Sequence, residues 1–248
     1  MIEIGLLILA SLIMEVVDSS LGMMYGTLLV PVLINLGLDP IYVVPAILIS
    51  QALGGITGTV SHHKFKNADF KGLTRDTKIG LAMVIPGLLV IILGVFLAVN
   101  IPKFWVKFYI ADLVIIMSVL TLLPIRYNFA WWKHYIIGML AAFNKSISGG
   151  GFGPVTSTGG ILGGLEAKVS IATTTFAEIW ICLGAFILYM FLSGVYDLNL
   201  IIALSIGATI GGVIGPYISK ILNHNILRKF VGWLGIISGC WLLWKIFI

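Results

Sequence analysis

Residues 143–154 form a polar, glycine-rich segment between two apolar runs, and they read Phe143-Asn-Lys-Ser-Ile-Ser-Gly-Gly-Gly-Phe-Gly-Pro154. Three consecutive glycines disfavour a continuous helix, because glycine loses the most backbone freedom when it is ordered. Pro154 favours a new helix, since proline suits the first helical turn. The segment therefore predicts a break between two helices.

A second break of similar composition lies in the first half of the chain and reads Glu15-Val-Val-Asp-Ser-Ser-Leu-Gly-Met-Met-Tyr-Gly26. Shifting the chain by 127 positions aligns identical residues around the two breaks: Ser19 with Ser146, Gly22 with Gly149, and Gly26 with Gly153. Clustered identities at one offset indicate an internal duplication. Such internal repeats are typical of secondary transporters.

The composition places both halves in a membrane. Hydrophobic residues make up 59% of the 248 residues and charged residues only 10%, with a mean hydropathy of +1.10. A soluble domain carries about 25% charged residues. Apolar runs of the length that spans a bilayer, about 20 residues, recur along the chain. We therefore expect an all-α integral membrane protein whose partner is the lipid bilayer, and the net charge of +5, spread over short loops, does not indicate a nucleic-acid partner.

The distribution of basic residues predicts how the broken segments cross the membrane. If each broken pair returns to the side from which it entered, eleven of the fifteen Lys and Arg residues fall on one side and three on the other, with Lys145 inside the membrane. If each pair crosses once, the split is eight to six. Basic residues concentrate on the cytoplasmic side of membrane proteins, so the returning arrangement is favoured. Three full crossings then follow in each half, and this odd number makes the two repeats inverted.

The predicted architecture is thus two inverted repeats, each a broken or re-entrant helical hairpin followed by three transmembrane helices. The first repeat covers 1–126, with its hairpin at 4–37 and helices at 40–62, 78–100 and 105–124. A loop at 127–132 leads to the second repeat, 133–248, with its hairpin at 133–165 and helices at 168–192, 198–222 and 229–248.

The two breaks carry the chemistry that an anion needs. Non-helical backbone at membrane depth survives only where protein buries it or where it lines a wet cavity. Helices that begin near the breaks would direct free N–H groups and a positive dipole end toward a ligand. The predicted substrate-binding residues are Ser19, Ser20, Tyr25, Gly26, Lys145, Ser146, Ser148, Gly149, Gly150, Gly151, Phe152, Gly153 and Thr174. The alternative is that the glycines and serines only allow close helix packing, as a Gly207, Gly211 and Gly215 series also predicts.

Charged side chains at membrane depth are the second signal, because each costs at least about 2.5–3.5 kcal/mol and is functional by default. Asp18 and Lys145 occupy equivalent positions, so they are expected to face each other near a twofold axis. Glu178 is the third such charge, and Gln51 is its counterpart in the first half. The sequence leaves open whether Asp18, Gln51 and Glu178 couple protons or form an ion-pair network. The pair His62-His63 beside Lys64 favours an interfacial pair over a metal site or a proton relay.

These motifs resemble the sulfite-exporter TauE/SafE family, also called toluene-sulfonate uptake permeases. The resemblance covers nearly the whole chain and rests on Asp18-Ser-Ser-Leu-Gly-Met-Met-Tyr-Gly-Thr27, Val30-Pro31, Val43-Val-Pro45, Ser50-Gln51, His62-His63, Phe143–Pro154 and Ala172-Thr-Thr-Thr-Phe-Ala-Glu178. It implies a carrier of sulfite, sulfonates or related organosulfur anions in the cytoplasmic (inner) membrane. Gln51 departs from the Glu of the Ser-Glu pair in this branch, which counts against a mechanism with two symmetric carboxyls.

The expected function is secondary transport of a small sulfur-containing anion by alternating access, with or without proton coupling. Two alternatives stay open: an anion channel or facilitator that uses the same site, and a carrier of another small anion such as a carboxylate. An intramembrane hydrolase is disfavoured because the chain has no Gly-x-Ser-x-Gly run. No metal and no cofactor is expected, and a homo-oligomer is compatible with the sequence but not indicated by it.

Overall fold

The computed structural model describes residues 3–123, 130–162, 164–194, 196–219, 221 and 224–247. These residues form ten α-helices and no strand. The helices are α1 (Ile4–Leu21), α2 (Tyr25–Asn35), α3 (Pro40–Lys64), α4 (Arg75–Asn100), α5 (Lys103–Leu122), α6 (Trp131–Ser148), α7 (Phe152–Leu162), α8 (Ala167–Leu192), α9 (Leu198–Ser219) and α10 (His224–Phe247). The expected all-α membrane fold is confirmed.

Helix lengths set two short helices, α2 and α7, apart from the long ones. Within the described part of the chain, α1, α3, α4, α8 and α9 are long and apolar enough to span a bilayer. By contrast, α2 and α7 have 11 residues each, about half of what a crossing needs. Both short helices directly follow the predicted breaks.

Each break begins with a glycine in a left-handed conformation. Gly22 ends α1 and Gly149 ends α6, both at φ 71°. The amide of Gly22 donates to the Asp18 carbonyl at 2.6 Å, and that of Gly149 donates to the Lys145 carbonyl at 2.8 Å. A left-handed residue that bonds back to the last turn is a common helix stop, and glycine adopts it without steric cost.

Close packing on glycines shows the direction of α1. A Cβ atom built on Gly207 of α9 would overlap the Ile8 carbonyl oxygen, and one built on Gly215 would lie 2.7 Å from the Val16 carbonyl oxygen. Residue numbers therefore rise together, and α1 runs parallel to α9. The predicted Gly207, Gly211 and Gly215 contact is confirmed, and it is the contact that small residues permit between membrane helices.

The second hairpin is packed in the same manner on another helix. A Cβ atom on Gly138 of α6 would lie 2.7 Å from the Met83 carbonyl oxygen, and one on Gly94 of α4 would overlap the Ser146 side chain. Numbers again rise together, so α6 runs parallel to α4. The α1 and α6 helices thus each lie against a membrane-spanning helix of the other half.

Contacts of α3 relate the direction of the α1–α9 pair to that of the α4–α6 pair. On α3, Gly54 meets Glu15 and Gly58 meets Ser19, so α1 and α3 are parallel. Because Gly55 meets Ile179 whereas Gly58 meets Thr175, α3 and α8 are antiparallel.

The remaining link runs through α4. Gly80 meets Phe176 and Gly87 meets Ile181, so α4 and α8 are parallel. It follows that α1 and α6 run in opposite directions and that the two hairpins enter the bundle from opposite ends. These are the directions that the predicted inversion requires, while the division of the chain into two inverted repeats stays a prediction.

Basic side chains mark the two ends of the bundle. At one end, Lys103, Lys107 and Lys245 line a single cavity of about 340 Å³. The other end holds the C-terminus of α3 and the N-termini of α4, α6 and α8, with Lys64, Arg75, Lys78, Lys133 and Lys168. We call this end the basic face and the first the opposite face. The positive-inside rule predicts that the basic face is cytoplasmic.

The predicted element bounds differ from the observed ones by up to five residues, the largest shift being the start of α10 at His224 instead of 229. Half of the predicted connecting loop, the end of the predicted helix 105–124 and parts of the predicted helices 198–222 and 229–248 lie outside the described residues.

Candidate functional site

The two breaks meet inside the bundle. A Cβ atom built on Gly26 would overlap the Gly149 carbonyl oxygen, and one built on Gly153 would overlap the Gly22 carbonyl oxygen. The backbones of the two hairpins therefore touch directly, at positions where only glycine fits. The contact is reciprocal under the 127-residue offset, because Gly26 meets Gly149 and their counterparts, Gly153 and Gly22, meet each other. Reciprocal contacts are the pattern that a twofold relation produces.

Hydrogen bonds join the hairpins beside these glycines. The amide of Gly151 donates to the Thr27 hydroxyl at 3.1 Å. The Ser157 hydroxyl donates to the Gly22 carbonyl at 2.7 Å. Backbone groups that the breaks leave without helical partners are thus partly satisfied by the other hairpin, as burial in a membrane protein demands.

The predicted substrate-binding residues are closed off from both faces. Each of the eight with a side chain is at most 1% exposed: Ser19, Ser20, Tyr25, Lys145, Ser146, Ser148, Phe152 and Thr174. The five predicted glycines, Gly26, Gly149, Gly150, Gly151 and Gly153, are buried as well. In this structure the region is therefore not accessible from either face.

Several predicted hydroxyl donors are already engaged within their own hairpin. Ser20 bonds to the Val17 carbonyl at 2.9 Å, Ser146 to the Phe143 carbonyl at 2.8 Å, and Ser148 to the Asn144 carbonyl at 2.7 Å. Back-bonding of this kind satisfies a serine inside a helix. These hydroxyls reach a ligand only if they exchange the bonds that they make here.

Two further predicted residues differ in how their hydroxyls are used. The Tyr25 hydroxyl lies 2.8 Å from both Ser11 and Ser50, on the side of α1 and α3. Thr174 Oγ1 is buried and has no hydrogen-bond partner among the described residues. Thr174 lies one turn before Glu178 on α8, so it offers an unused donor close to the charged residues.

Those charged residues form one buried network across four helices. The Lys145 ammonium donates to Glu178 Oε1 at 3.0 Å and to Gln51 Oε1. Gln51 Nε2 donates in turn to Asp18 Oδ2 at 3.1 Å. The structure thus brings all four predicted residues together, with Gln51 and Glu178 near the middle of α3 and α8. The expected facing of Asp18 and Lys145 is corrected in one respect: Gln51 lies between them, and Glu178 is the acid that pairs with the lysine.

The two short helices differ at their N-termini. Asp18 Oδ1 accepts the Tyr25 amide at 3.0 Å, so a carboxylate already caps α2. The equivalent position before α7 is Lys145, which has no acceptor with which to cap a helix. Within the described residues, no side-chain carboxylate bonds to the start of α7. Of the two short helices, α7 is therefore the one whose positive N-terminal end has no carboxylate bound to it in the described structure.

Glu15 belongs to this centre and was missed by sequence reasoning. It is 1% exposed and accepts the Ser19 hydroxyl at 2.7 Å, while its second oxygen has no partner in the described structure. Its counterpart at the 127-residue offset is Ala142, so a search for matched charges passes over it. The available signal was its spacing, because a position three residues before Asp18 lies on the same helix face.

His62 is buried, which corrects its assignment to the interface. Its side chain is inaccessible, and Nδ1 lies 3.0 Å from Asn67 Nδ2. Asn67 also donates to the Pro216 carbonyl of α9 at 3.0 Å, which fixes the loop over the histidine. The neighbouring His63 is 44% exposed and lies 3.6 Å from Asp69 in the loop on the basic face. The position of both histidines beside Lys64 predicted an interfacial location. Nothing in the local sequence indicates that the loop folds over His62.

Comparison with known proteins gives the family. The model of the family described as sulfite exporter TauE/SafE matches residues 7–242. The chain is similar to the probable membrane transporter protein YtnM of Bacillus subtilis (strain 168), at 27% identity over 235 residues that cover 89% of this chain and 75% of that relative. No solved structure matches the chain. Because the family match includes both hairpins and every charged residue of the buried network, the chain belongs to the sulfite exporter TauE/SafE family of membrane transporters.

Proposed function

We propose that the protein is a secondary carrier that moves a small sulfur-containing anion, such as sulfite or a sulfonate, across the cytoplasmic membrane by alternating access. The observation that carries this proposal is the meeting of two broken hairpins, which enter from opposite ends and touch through Gly26 and Gly149. Breaks at matching positions of two halves are the usual site of substrate binding in secondary transporters.

The anion is proposed to bind at the start of α7. The first turn of a helix has amide groups without helical acceptors and carries partial positive charge. Asp18 occupies the equivalent place at α2, whereas Lys145 adds a positive charge before α7. An incoming anion would draw the Lys145 ammonium from Gln51 and Glu178 and take the first-turn amides of Phe152 and Gly153.

Burial supports a carrier over an open channel. A channel needs a continuous wet path, whereas the hairpin tips are enclosed by protein on both sides in this conformation. Because one hairpin enters from each end, a small movement of either one would open the site to one face at a time. This is the motion that alternating access requires.

The membrane potential favours export of such a substrate. Each charge that moves down an interior-negative potential gains about 2.3 kcal/mol per 100 mV. A dianion such as sulfite is therefore driven outward by about 4–5 kcal/mol without another fuel. Uptake against this potential requires a coupled cation. Buried carboxyl groups can bind protons, so the proton is the coupling ion that this site favours.

Counterflow in proteoliposomes tests the proposal. Vesicles preloaded with unlabelled sulfite or a sulfonate are expected to take up the labelled anion transiently, because a carrier exchanges its substrate. Lys145→Met is expected to abolish the exchange, whereas Lys168→Met, at a lysine whose side chain is 41% exposed, is the matched control and is expected to exchange normally. Conductive leak without counterflow would identify a channel instead.

A thermal-shift screen identifies the substrate class independently. A ligand that binds the folded protein raises the unfolding temperature. Sulfite, thiosulfate, taurine, sulfoacetate and sulfate are compared with short carboxylates in detergent. Stabilisation by the sulfur oxyanions that disappears in Lys145→Met supports the proposed class, and stabilisation by carboxylates alone would replace it.

A further inference from the structure

The buried centre of the bundle holds more acids than bases. Glu15, Asp18 and Glu178 are each at most 4% exposed, and Lys145 is 1% exposed. With all four groups ionised, this centre would carry two uncompensated negative charges before any anion arrives. Isolated charges in an apolar environment are strongly unfavourable and are neutralised by protons instead. The centre therefore has a use for protons that the anion site alone does not explain.

The three acids are not equally compensated. Glu178 pairs with the Lys145 ammonium at 3.0 Å. Asp18 accepts two N–H groups, from Tyr25 and Gln51. Glu15 receives only the Ser19 hydroxyl, and its Oε2 atom is buried without a partner in the described structure. Glu15 is thus the carboxyl that gains most from neutralisation.

The surroundings of Glu15 leave little room for a larger cation. A Cβ atom built on Gly54 of α3 would lie 2.9 Å from the Glu15 carboxyl carbon, and one built on Gly211 of α9 would lie 2.7 Å from its Cβ atom. The carboxyl therefore sits in a slot between two helix backbones that approach at glycines. A proton fits this slot without displacing the helices, whereas a cation that keeps several ligands does not.

The elements packed around this slot determine which groups compete with Glu15 for a proton. Among the described residues, charged or titratable side chains surround the slot from α1, α2, α6 and α8, and they are Asp18, Tyr25, Lys145, Glu178 and Cys182. On α3, His62 lies two turns beyond Gly54 toward the basic face, and α9 presents only backbone and small residues here, Ala208 and Gly211. The lysine bonds to Glu178 and Gln51, so Glu15 has no cation of its own among the described residues.

We propose that Glu15 is the proton-binding site of the carrier, neutral in the occluded state and exchanging its proton when the site opens. This inference rests on the proposed transport function and adds the coupling ion and its residue. Protonation converts the carboxylate to a neutral acid and removes one of the two uncompensated charges. The bound proton then favours entry of an anion, and by linkage the anion favours binding of the proton.

Transport measurements with a matched control test the coupling. Wild-type vesicles are expected to accumulate labelled sulfite or a labelled sulfonate when a proton gradient is imposed. Glu15→Gln mimics the neutral acid, so it should keep counterflow and lose accumulation driven by the gradient. Glu166→Gln, at an acid whose side chain is 66% exposed, should behave as wild type. Affinity for a sulfonate, whose charge is constant near neutral pH, should change with pH by about 5–150-fold in wild type and should lose most of this dependence in Glu15→Gln.

An infrared measurement tests the site without any transport. Purified protein at neutral pH should show the carbonyl stretch of a protonated carboxyl group, and this band should be absent from Glu15→Gln and shifted in Glu15→Asp. Loss of the band supports the assignment even if no anion proves to be carried, so the two proposals can fail separately. An unchanged band, proton-driven accumulation by Glu15→Gln, or accumulation driven by a sodium gradient in wild type would each overturn it.

Discussion

Asp18 and Lys145, which are equivalent under the 127-residue offset, bind opposite ends of the same side-chain amide, that of Gln51. The amide nitrogen donates to the aspartate, and the amide oxygen accepts from the lysine. The two hairpins are thus connected through α3 rather than by a direct ion pair. An uncharged bridge of this kind has both a donor and an acceptor, which neither a glutamate nor a leucine provides.

Replacing the bridge by an acid should make stability depend on pH. In Gln51→Glu, an ionised carboxylate faces Asp18 where an N–H donor stood, and like charges at this distance repel in a buried site. A proton on either acid restores the hydrogen bond. The unfolding midpoint of the variant should therefore fall further below that of wild type as pH rises, and the gap should narrow as pH falls.

The control for this experiment is Gln51→Leu, which removes the bridge without adding a titrating group. Asp18 loses a hydrogen-bond donor in this variant but gains no facing acid, so its loss of stability relative to wild type should depend less on pH than that of Gln51→Glu. An equal pH dependence of the two variants would show that the added carboxylate does not face Asp18.

Replacing only Lys145 of the Lys145–Glu178 pair should destabilise the protein more than replacing both residues. Lys145→Met leaves a buried carboxylate without its cation, and such a change costs about 3–5 kcal/mol. Adding Glu178→Gln removes the orphaned charge, so the double variant should recover part of the loss. A double-mutant cycle in denaturant should give a coupling energy of about 0.5–3 kcal/mol. Additive effects would contradict the pairing at 3.0 Å.

The breaks could be predicted from the sequence because their signals are local. A glycine run, a proline that starts a helix and a shared 127-residue offset all lie in the chain itself, and Gly22 and Gly149 do end α1 and α6. The same offset also singled out Asp18 and Lys145. Side-chain partners could not be predicted in this way. Whether Lys145 pairs with Glu178 or with Asp18 depends on how α6 is placed against α8.

Glu15 was overlooked, and His62 was wrongly assigned to the membrane interface. Glu15 sits in an apolar run and has no charged counterpart at the offset, so neither hydropathy nor symmetry drew attention to it. His62 stands beside Lys64, yet the loop that covers it is held by Asn67 and the Pro216 carbonyl of α9. The Asn67–Pro216 contact joins residues 149 positions apart, and a single sequence does not encode it in any local pattern.

The contact between the hairpin tips should tolerate no added methyl group. In Gly26→Ala the new Cβ atom would overlap the Gly149 carbonyl oxygen, so the hairpins must separate. Overpacking of this kind costs about 1–3 kcal/mol, and the shifted tips should also reduce transport. The measurements are the unfolding midpoint in detergent and the rate of counterflow.

Gly5→Ala is the matched control, because Gly5 lies in α1 with nothing within 4 Å of an added Cβ atom. Alanine there should be neutral or stabilise α1 slightly, since it costs less helix entropy than glycine. Equal effects of the two variants would mean that the tips do not touch.

Exchanging the charges of the two hairpins should not restore function. In the double variant Asp18→Lys with Lys145→Asp, the lysine at position 18 would meet the Tyr25 amide, which is a donor, while the aspartate at position 145 would face Glu178. Donor would oppose donor and acid would oppose acid. Transport and the unfolding midpoint should both fall well below wild type.

The comparison is Lys145→Glu with Glu178→Lys, which reverses the observed pair and leaves Asp18 with its own partners. This second variant should retain the higher stability of the two, because it keeps one cation beside one acid. Full transport by the Asp18 and Lys145 exchange would instead mean that the two charges pair directly and that the order of contacts through Gln51 is wrong.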